Sequence, residues 1–521
     1  MSQQSLVPWL GEHLLHLCSP AQLGIVCAEL AIELWKVAPA QLQPAERVDL
    51  LIEHLIATKR LEPFAAALLR DENHRDEALR LGLRTLIPAE QVNPATVPAP
   101  HGSDPRTTKS LPIDEAALQA RLDAFDERLA AEDPLGAYTL LADGLGGFAH
   151  LGCRLGRSRL LLELIRRLYP LAAPLSVEDV AWRNRYAQLL WWETEALRLT
   201  GQLDAALVTT ERQWPFHAEM LPGLWLKQAQ IHRLAGRLSL ASSLAKKAQA
   251  LSPDLSLQAA AAAEQASLAL LAGDTSLCLL HLWQARSLLR DAGQNVAPWP
   301  LRLALIFAQR ALRMQDVTAA REWLTDCVDR ATETGDTLAL AEASVLLADA
   351  LRRDGEHEAA AQKLSQATQF ASHSGAAEVL VAAGREEARL LMDQASYEAA
   401  AAALGTALAM AEELSLACYR IDLLNLRGQL QLRRSNPMSA ERDARDALAH
   451  AMAPECGYQW GEADSLHLLA VTLLSSRPQV QSLKHSEAID HLSDELELRD
   501  RMQDPTAPEV RWLIRRLRTV A

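Results

Sequence analysis

The sequence predicts an all-α protein, a small N-terminal helical bundle followed by a long solenoid of helix-turn-helix repeats, and three observations carry that prediction. The chain is 49% hydrophobic, yet it holds only 6 Phe and 6 Tyr and has no long β-branched run, because Ala and Leu dominate its apolar residues. That balance favours helix over strand. At 521 residues it exceeds the size at which one core stops growing, so several domains or a repeat array are expected. Small residues also recur along most of its length in three phased columns, the mark of helices packed in register.

The first element is residues 1–86, read as five or six short helices in a compact bundle. Ser19-Pro20-Ala21-Gln22 has the capping-box pattern with Pro at the first helical position, and Pro44 and Pro63 open two further segments in the same way. Asn73, followed by Asp76 and Glu77, caps a last helix through Leu86. Residues 87–113 form the second element, a linker rich in Pro, Ser and Thr without apolar period.

The third element, residues 114–521, opens near Asp114 with an amphipathic helix carrying acidic residues in its first turn. Turn-like sites then recur at Gly201, Gly236, Gly273, Gln315, Gly355 and Ser435. One column of small residues runs through Thr194, Ala229, Ala266, Ala308, Ala348, Ala388, Gly428 and Ala470. Twelve residues further on lies a second, Ala206, Ala241, Cys278, Ala320, Ala360, Ala400 and Ala440, and seven beyond that a third, Ala248, Ala285, Cys327, Ala367, Ala407 and Ala447. Such columns mean that antiparallel helices approach where a larger side chain would clash, each pair packing on the next. The basic end, 511-RWLIRRLRTVA-521, reads as a final helix capping the apolar end of the solenoid, or as a contact for an acidic partner.

On these columns residues 135–500 resemble the tetratricopeptide repeat family, which places small residues at its eighth, twentieth and twenty-seventh positions. The spacings here, 35, 37, 42, 40, 40, 40 and 42 residues, exceed that family's usual ~34, which implies extended helices. A first pair around Ala149 and Gly156 departs from the pattern at Leu161. The resemblance implies a concave groove lined from fixed positions of each first helix. Carried onto this chain, those positions are Arg352, Arg353, Arg385, Arg389, Asp422, Asn425, Gln429, Arg433, Asp464 and His467. Earlier repeats place Trp191, Leu226, Ala263 and Leu305 at the fifth position, so polarity is expected to rise toward the C-terminal half. Arg352, Arg353, Arg385 and Arg389 then either grip carboxylates of a protein partner or pair internally with neighbours such as Glu386 and Glu387.

The N-terminal unit resembles the effector-associated, death-fold-like domains of bacterial conflict and immune signalling proteins. The matching features are Ser19-x-x-Gln22-Leu23, the Ala45-Glu46 helix with Leu51-Ile52, Phe64-Ala65-Ala66-x-Leu68, and the closing Arg75-Asp76-Glu77. Asn73-His74 depart from the Pro-Gly common there. This resemblance implies homotypic docking to a like domain on another protein, with Arg75, Asp76 and Glu77 as contacts.

Other chemistry is weighed against these readings. A formal net charge of -14 argues against a dedicated nucleic-acid binder. Neither a signal peptide nor an apolar run of ~20 residues is evident, so a cytoplasmic protein is expected. The seven cysteines never form CxxC, which suits reduced thiols. His150 and Cys153 are the nearest approach to a nucleophile and base, but an oxyanion site and a third, orienting group are missing. The glycines of 144-GLGGFAHLG-152 lack a phosphate loop's strand and Gly-Lys-Ser/Thr ending, and read as a close helix contact. Trp191 and Trp192 read as packing residues. Within 455-ECGYQWGEADSLHLLA-470, Asp464 and His467 share a helix face and Trp460 reads as a packing wedge. No enzyme, metal or cofactor is expected. The function expected is an adaptor or sensor whose small domain recruits an effector and whose groove binds a regulatory protein. A regulatory or inhibitory subunit of a protease or other effector enzyme, and a chaperone-like solenoid, remain as alternatives.

Overall fold

The computed structural model describes residues 115–213, 221–293, 300–475 and 481–520. The expected bundle and linker, and with them Arg75, Asp76 and Glu77, lie outside the described residues. The described residues all belong to one unit, Ser110–Ala521, and among them there is no strand.

The unit opens with α1 (Glu115–Ala130) and α2 (Pro134–Thr139), two π-helical turns (Leu140–Gly144 and Phe148–Arg154) and α3 (Ser158–Glu178). Eight helix pairs follow: α4 (Val180–Leu199) with α5 (Leu203–Gln213), α6 (Leu221–Leu234) with α7 (Leu238–Leu251), α8 (Leu255–Leu271) with α9 (Thr275–Asp291), and α10 (Leu301–Arg313) with α11 (Val317–Thr334). Then come α12 (Thr337–Arg353) with α13 (His357–Ser374), α14 (Ala377–Asp393) with α15 (Tyr397–Glu413), α16 (Ala417–Arg433) with α17 (Pro437–Ala451), and α18 (Gln459–Leu474) with α19 (Gln481–Met502). Helix α20 (Ala507–Val520) closes the described chain.

Several helices start where a side chain satisfies a first-turn N–H group. Asp179, Asp254, Asp274, Asp316, Asp336 and Asn436 each accept a backbone N–H from the first turn of the helix they precede. They end where the chain turns left-handed, at Gly201, Gly236, Gly273 and Gly355, and at Gln315, Ala395 and Ser435 in the corresponding turns.

The three columns of small residues are the seams of this stack. Thr194, Ala229, Ala266, Ala308, Ala388 and Ala470 of the first column are 0% exposed, as are Ala206, Ala241, Cys278, Ala320, Ala360, Ala400 and Ala440 of the second. With no side chain larger than threonine between them, helix axes come close enough for the flanking leucines to interdigitate. Each first helix from α6 onward also packs on the first helix of the next pair, so α6, α8, α10, α12, α14, α16 and α18 share one side of the solenoid.

The solenoid winds back on itself, because segments far apart in sequence meet across its turns. Trp460 Nε1 donates to the Leu270 carbonyl at 2.7 Å, the Arg313 guanidinium to the Tyr458 hydroxyl at 2.6 Å, and Thr337 Oγ1 to the Cys153 carbonyl at 2.8 Å. Approach is tightest at two of the turn glycines. A Cβ on Gly236 would lie 2.5 Å from the Ala417 methyl, and one on Gly273 2.4 Å from Met502.

Within the 144–152 run, Gly147 makes the close helix contact expected there, while Gly144, Gly146 and Gly152 meet side chains of their own segment. A Cβ on Gly147 would meet the Trp192 ring at 2.8 Å, and Trp192 itself stacks on Tyr138 with ring centroids 6.3 Å apart. Trp191 packs under the Lys227 ammonium, which lies 4.6 Å from its ring centroid. Among the described residues no helix is long and apolar enough to cross a membrane.

Candidate partner-binding groove

Five of the ten groove positions line one cavity of about 840 Å³: Arg352, Arg353, Arg389, Asp464 and His467. A smaller space of about 200 Å³ lies further in, sharing the wall made by Leu312, Arg313, Arg353 and Arg389. Arg385 and Asp422 line only this inner space, and Asn425, Gln429 and Arg433 line neither.

The cationic wall comes from α10, α12 and α14, and its arginines are held by buried acids. Asp349, on α12, accepts from Arg352 at 2.7 Å and from Arg353 Nη2 at 2.8 Å. Burial would raise the Asp349 carboxyl, but Arg353, Arg389 and Arg352 outweigh it and the pKa ends well below the usual carboxylate range. Arg352 also reaches Asp393 at 2.7 Å, and Arg353 donates to the Leu312 carbonyl at 2.8 Å. Arg389 uses one nitrogen on Glu386, at 3.0 Å, and keeps 27% of its side chain exposed.

Arg385 is tied more firmly, to Glu386 at 2.9 Å and to Asp422 at 2.5 Å. Burial acts against its charge, yet Glu386 and Asp422 raise its pKa well above the ordinary value. The internal pairing weighed from the sequence therefore holds for Glu386, whereas Glu387 is exposed. Asp422 further accepts from the Tyr458 hydroxyl at 2.8 Å. Asn425 is buried, donating to the Gly461 carbonyl at 3.3 Å and accepting from Ser465 at 2.9 Å. Gln429 is exposed, and Arg433 caps the Met392 carbonyl at 2.8 Å.

The opposite wall comes from α18, α19 and α20 around Arg499. This guanidinium donates to Asp464 at 3.0 Å, to Glu495 at 2.6 Å and to Asp504. His467 Nδ1 lies 3.0 Å from Glu495. Burial opposes a charged His467, but the hydrogen bond and charge of Glu495 prevail and raise its pKa. Helix α20 has two sides: Val510 and Ile514 are buried against Leu469, Leu473 and Leu492, while Trp512, 58% exposed, lines the cavity. It covers apolar side chains of α18 and α19 and walls the cavity at once.

Sequence reasoning missed Arg313, although it stands five residues after Ala308 just as Arg353 stands five after Ala348. That phase was the available signal. Arg499, on α19, lies beyond the last small residue of the columns, Ala470, so no repeat phase marked it, whereas Trp512 falls in the 511–521 segment read from the sequence as a cap or an acidic-partner contact.

The expected rise of polarity toward the C-terminal half needs correction. Glu195, on α4, pairs with Lys227 and with Arg198 at 3.1 Å, and Arg233 bridges Glu264 at 2.7 Å and Glu378 at 3.7 Å. These charges sit beside the fifth-position Trp, Leu and Ala residues, at phases that the fifth position does not sample. Burial also pushes the Cys153 thiol up to about 11 and lowers the pKa of His150, so at neutral pH Cys153 is a protonated thiol rather than a nucleophile.

No family model and no curated protein matches the chain. It is similar to several solved structures. Rap protein complexed with competence and sporulation factor is 14% identical with a TM-score of 0.45, over 64% of this chain and 97% of that one. The APC/C hetero-tetramer Cut9-Hcn1 is 15% identical with a TM-score of 0.46, over 98% and 84%. The human IFIT1 dimer with PPP-AAAA is 14% identical with a TM-score of 0.36, over 79% and 93%.

Proposed function

We propose that the solenoid is a non-catalytic scaffold for protein–protein interaction, and that an acidic segment of a partner docks in the cavity between the arginine wall and α20. The observation that supports this is the mixed wall itself. Arg352, Arg353 and Arg389 line it with Arg313, and an exposed indole, Trp512, stands across from them. Guanidinium groups fixed by buried acids are preorganised and keep outward N–H donors, and an exposed aromatic supplies apolar area at small entropic cost.

In the fuller reading the partner is a regulatory protein, and residues 1–86 recruit an effector by homotypic contact through Arg75, Asp76 and Glu77, as in bacterial conflict signalling. That half rests on the sequence resemblance. The linker would couple the two events through effective concentration.

A photoreactive residue in place of Trp512 in the full chain identifies the partner in extract of the source cell. Its affinity for the wild-type chain and for Arg389→Glu is then measured with purified proteins. A drop of roughly tenfold, ~1.4 kcal/mol, is expected for the variant. Equal affinities would sink the groove reading. Deleting residues 1–86 should release the effector while the groove partner stays bound.

A further inference from the structure

The inner space of about 200 Å³ runs along α10, α12 and α14. Glu342 and Glu378 line it from the first two turns of α12 and α14, and Arg353 and Arg389 from positions eleven residues further on. Arg302 and Arg313 have the same separation on α10. At ~1.5 Å of rise per residue, the two levels stand ~16 Å apart along the helices. Arg313, Arg353 and Arg389 mark the level shared with the outer cavity, so the two glutamates mark the inner one.

The acids are served differently at the two levels. Near the outer cavity Asp349, Glu386 and Asp422 each accept from a guanidinium, at 2.7, 2.9 and 2.5 Å. At the inner level the ion pairs are loose. Glu342 lies 3.6 Å from Arg302 and Glu378 3.7 Å from Arg233, beyond the ~2.7–2.9 Å of a charge-assisted hydrogen bond. Arg233 gives its short bond to Glu264, at 2.7 Å, and Arg198 is committed to Glu195, at 3.1 Å. The Tyr419 hydroxyl meets Glu378 only at 3.4 Å. Burial, opposed by Arg302 and reinforced by the charge of Glu378, holds the Glu342 pKa above its ordinary value, so this level favours an added cation.

We propose that the inner space takes the free N-terminal ammonium group of the docked segment, held by Glu342 and Glu378, with the segment's acidic side chains following at Arg313, Arg353 and Arg389. The inference rests on the docking reading and adds to it which end of the partner enters. A helix, ~10–12 Å across, does not fit so narrow a space, whereas an extended chain covers ~16 Å in about five residues. A lysine reaching in from the outer cavity has only a four-carbon stem, so the chain itself has to enter. Entry by the carboxyl end would set a carboxylate against the two glutamates.

The test uses the full chain and two peptide pools, each with three leading positions varied over Gly, Ala, Ser, Thr and Val, then Glu-Glu-Asp-Glu and a C-terminal fluorophore. One pool has free amino termini and the other is acetylated; binding is read by fluorescence polarisation. The wild-type chain should bind the free-amine pool roughly tenfold more tightly. Glu342→Gln/Glu378→Gln should erase that preference by weakening the free-amine pool alone. Glu378→Gln by itself, which keeps an acceptor for Tyr419, carries the test where the double variant fails to fold. Arg389→Glu should weaken both pools. Equal binding of the two pools, binding of neither, or a preference that survives in the glutamine variants overturns the inference. So does an acetylated pool with Lys at its third position that binds as tightly as the free-amine pool, because a side-chain ammonium then suffices. If the pools bind equally while Arg389→Glu still weakens both, the inference falls and the docking reading stands. If Arg389→Glu changes neither, the docking reading falls with it.

Discussion

Asp349 shows how strongly single residues are committed inside this stack. Its carboxylate is 5% exposed and answers to Arg352 and Arg353 together. Removing both guanidiniums in Arg352→Ala/Arg353→Ala would strand a buried charge, and urea denaturation should register a loss of about 3–5 kcal/mol. Arg389→Ala deletes one pair with Glu386, which keeps Arg385, and should cost about 1 kcal/mol or less. The groove is therefore better probed at Arg389 than at its neighbours. His467 gives a pH signature. Its folded pKa is raised above 6.5 by Glu495, so its stabilising contribution is complete below 6.5 and is lost as pH rises through the folded value. His467→Gln keeps a neutral donor for Glu495. The melting-temperature advantage of the wild type over this variant should be largest in mildly acid buffer and shrink toward alkaline pH; a constant difference would mean that His467 acts through packing alone.

The turns between paired helices separate two reasons for small residues that look alike in the sequence. Gly355 has φ +80° and nothing within 4 Å of where an added methyl would stand, so Gly355→Ala should cost about 1–2 kcal/mol, the strain of a left-handed alanine. At Gly236 the same φ strain is joined by a 2.5 Å approach to the Ala417 methyl, and Gly236→Ala should cost about 2–4 kcal/mol. Ala395 holds φ +57° at an exposed turn, so Ala395→Gly should stabilise by roughly 0.5–1 kcal/mol. Thermal unfolding of the three variants checks the order. At this scale the sequence was informative wherever a period existed. The columns from Ala206 to Ala440 mark the seams because only small side chains fit there. The π-helical turns at Leu140–Gly144 and Phe148–Arg154 follow no repeat and left no period to read.

Contacts across the turns of the solenoid were invisible to sequence reasoning for a related physical reason. Phase reports what a residue does within its own repeat, and Gly236 and Gly355 have the same phase although only one meets another turn. These contacts change how the molecule should unfold. A linear repeat array couples each unit to its neighbours alone, so a local lesion loosens a local segment. Here the Trp460 indole donates to the carbonyl of Leu270, 190 positions away. That carbonyl belongs to the last turn of α8, where it also accepts the Gly273 N–H at 3.1 Å, so the indole N–H is its second donor. Trp460→Phe retains an aromatic wedge but removes the indole donor, while the Gly273 N–H still serves the carbonyl, a loss of about 0.5–1.5 kcal/mol. Hydrogen exchange should then quicken both in α18 and in the last turn of α8, while α12 and α13 between them in sequence keep their protection. Confinement of the change to α18 and its immediate neighbours would mean that the turns merely touch and that the stack opens one repeat at a time.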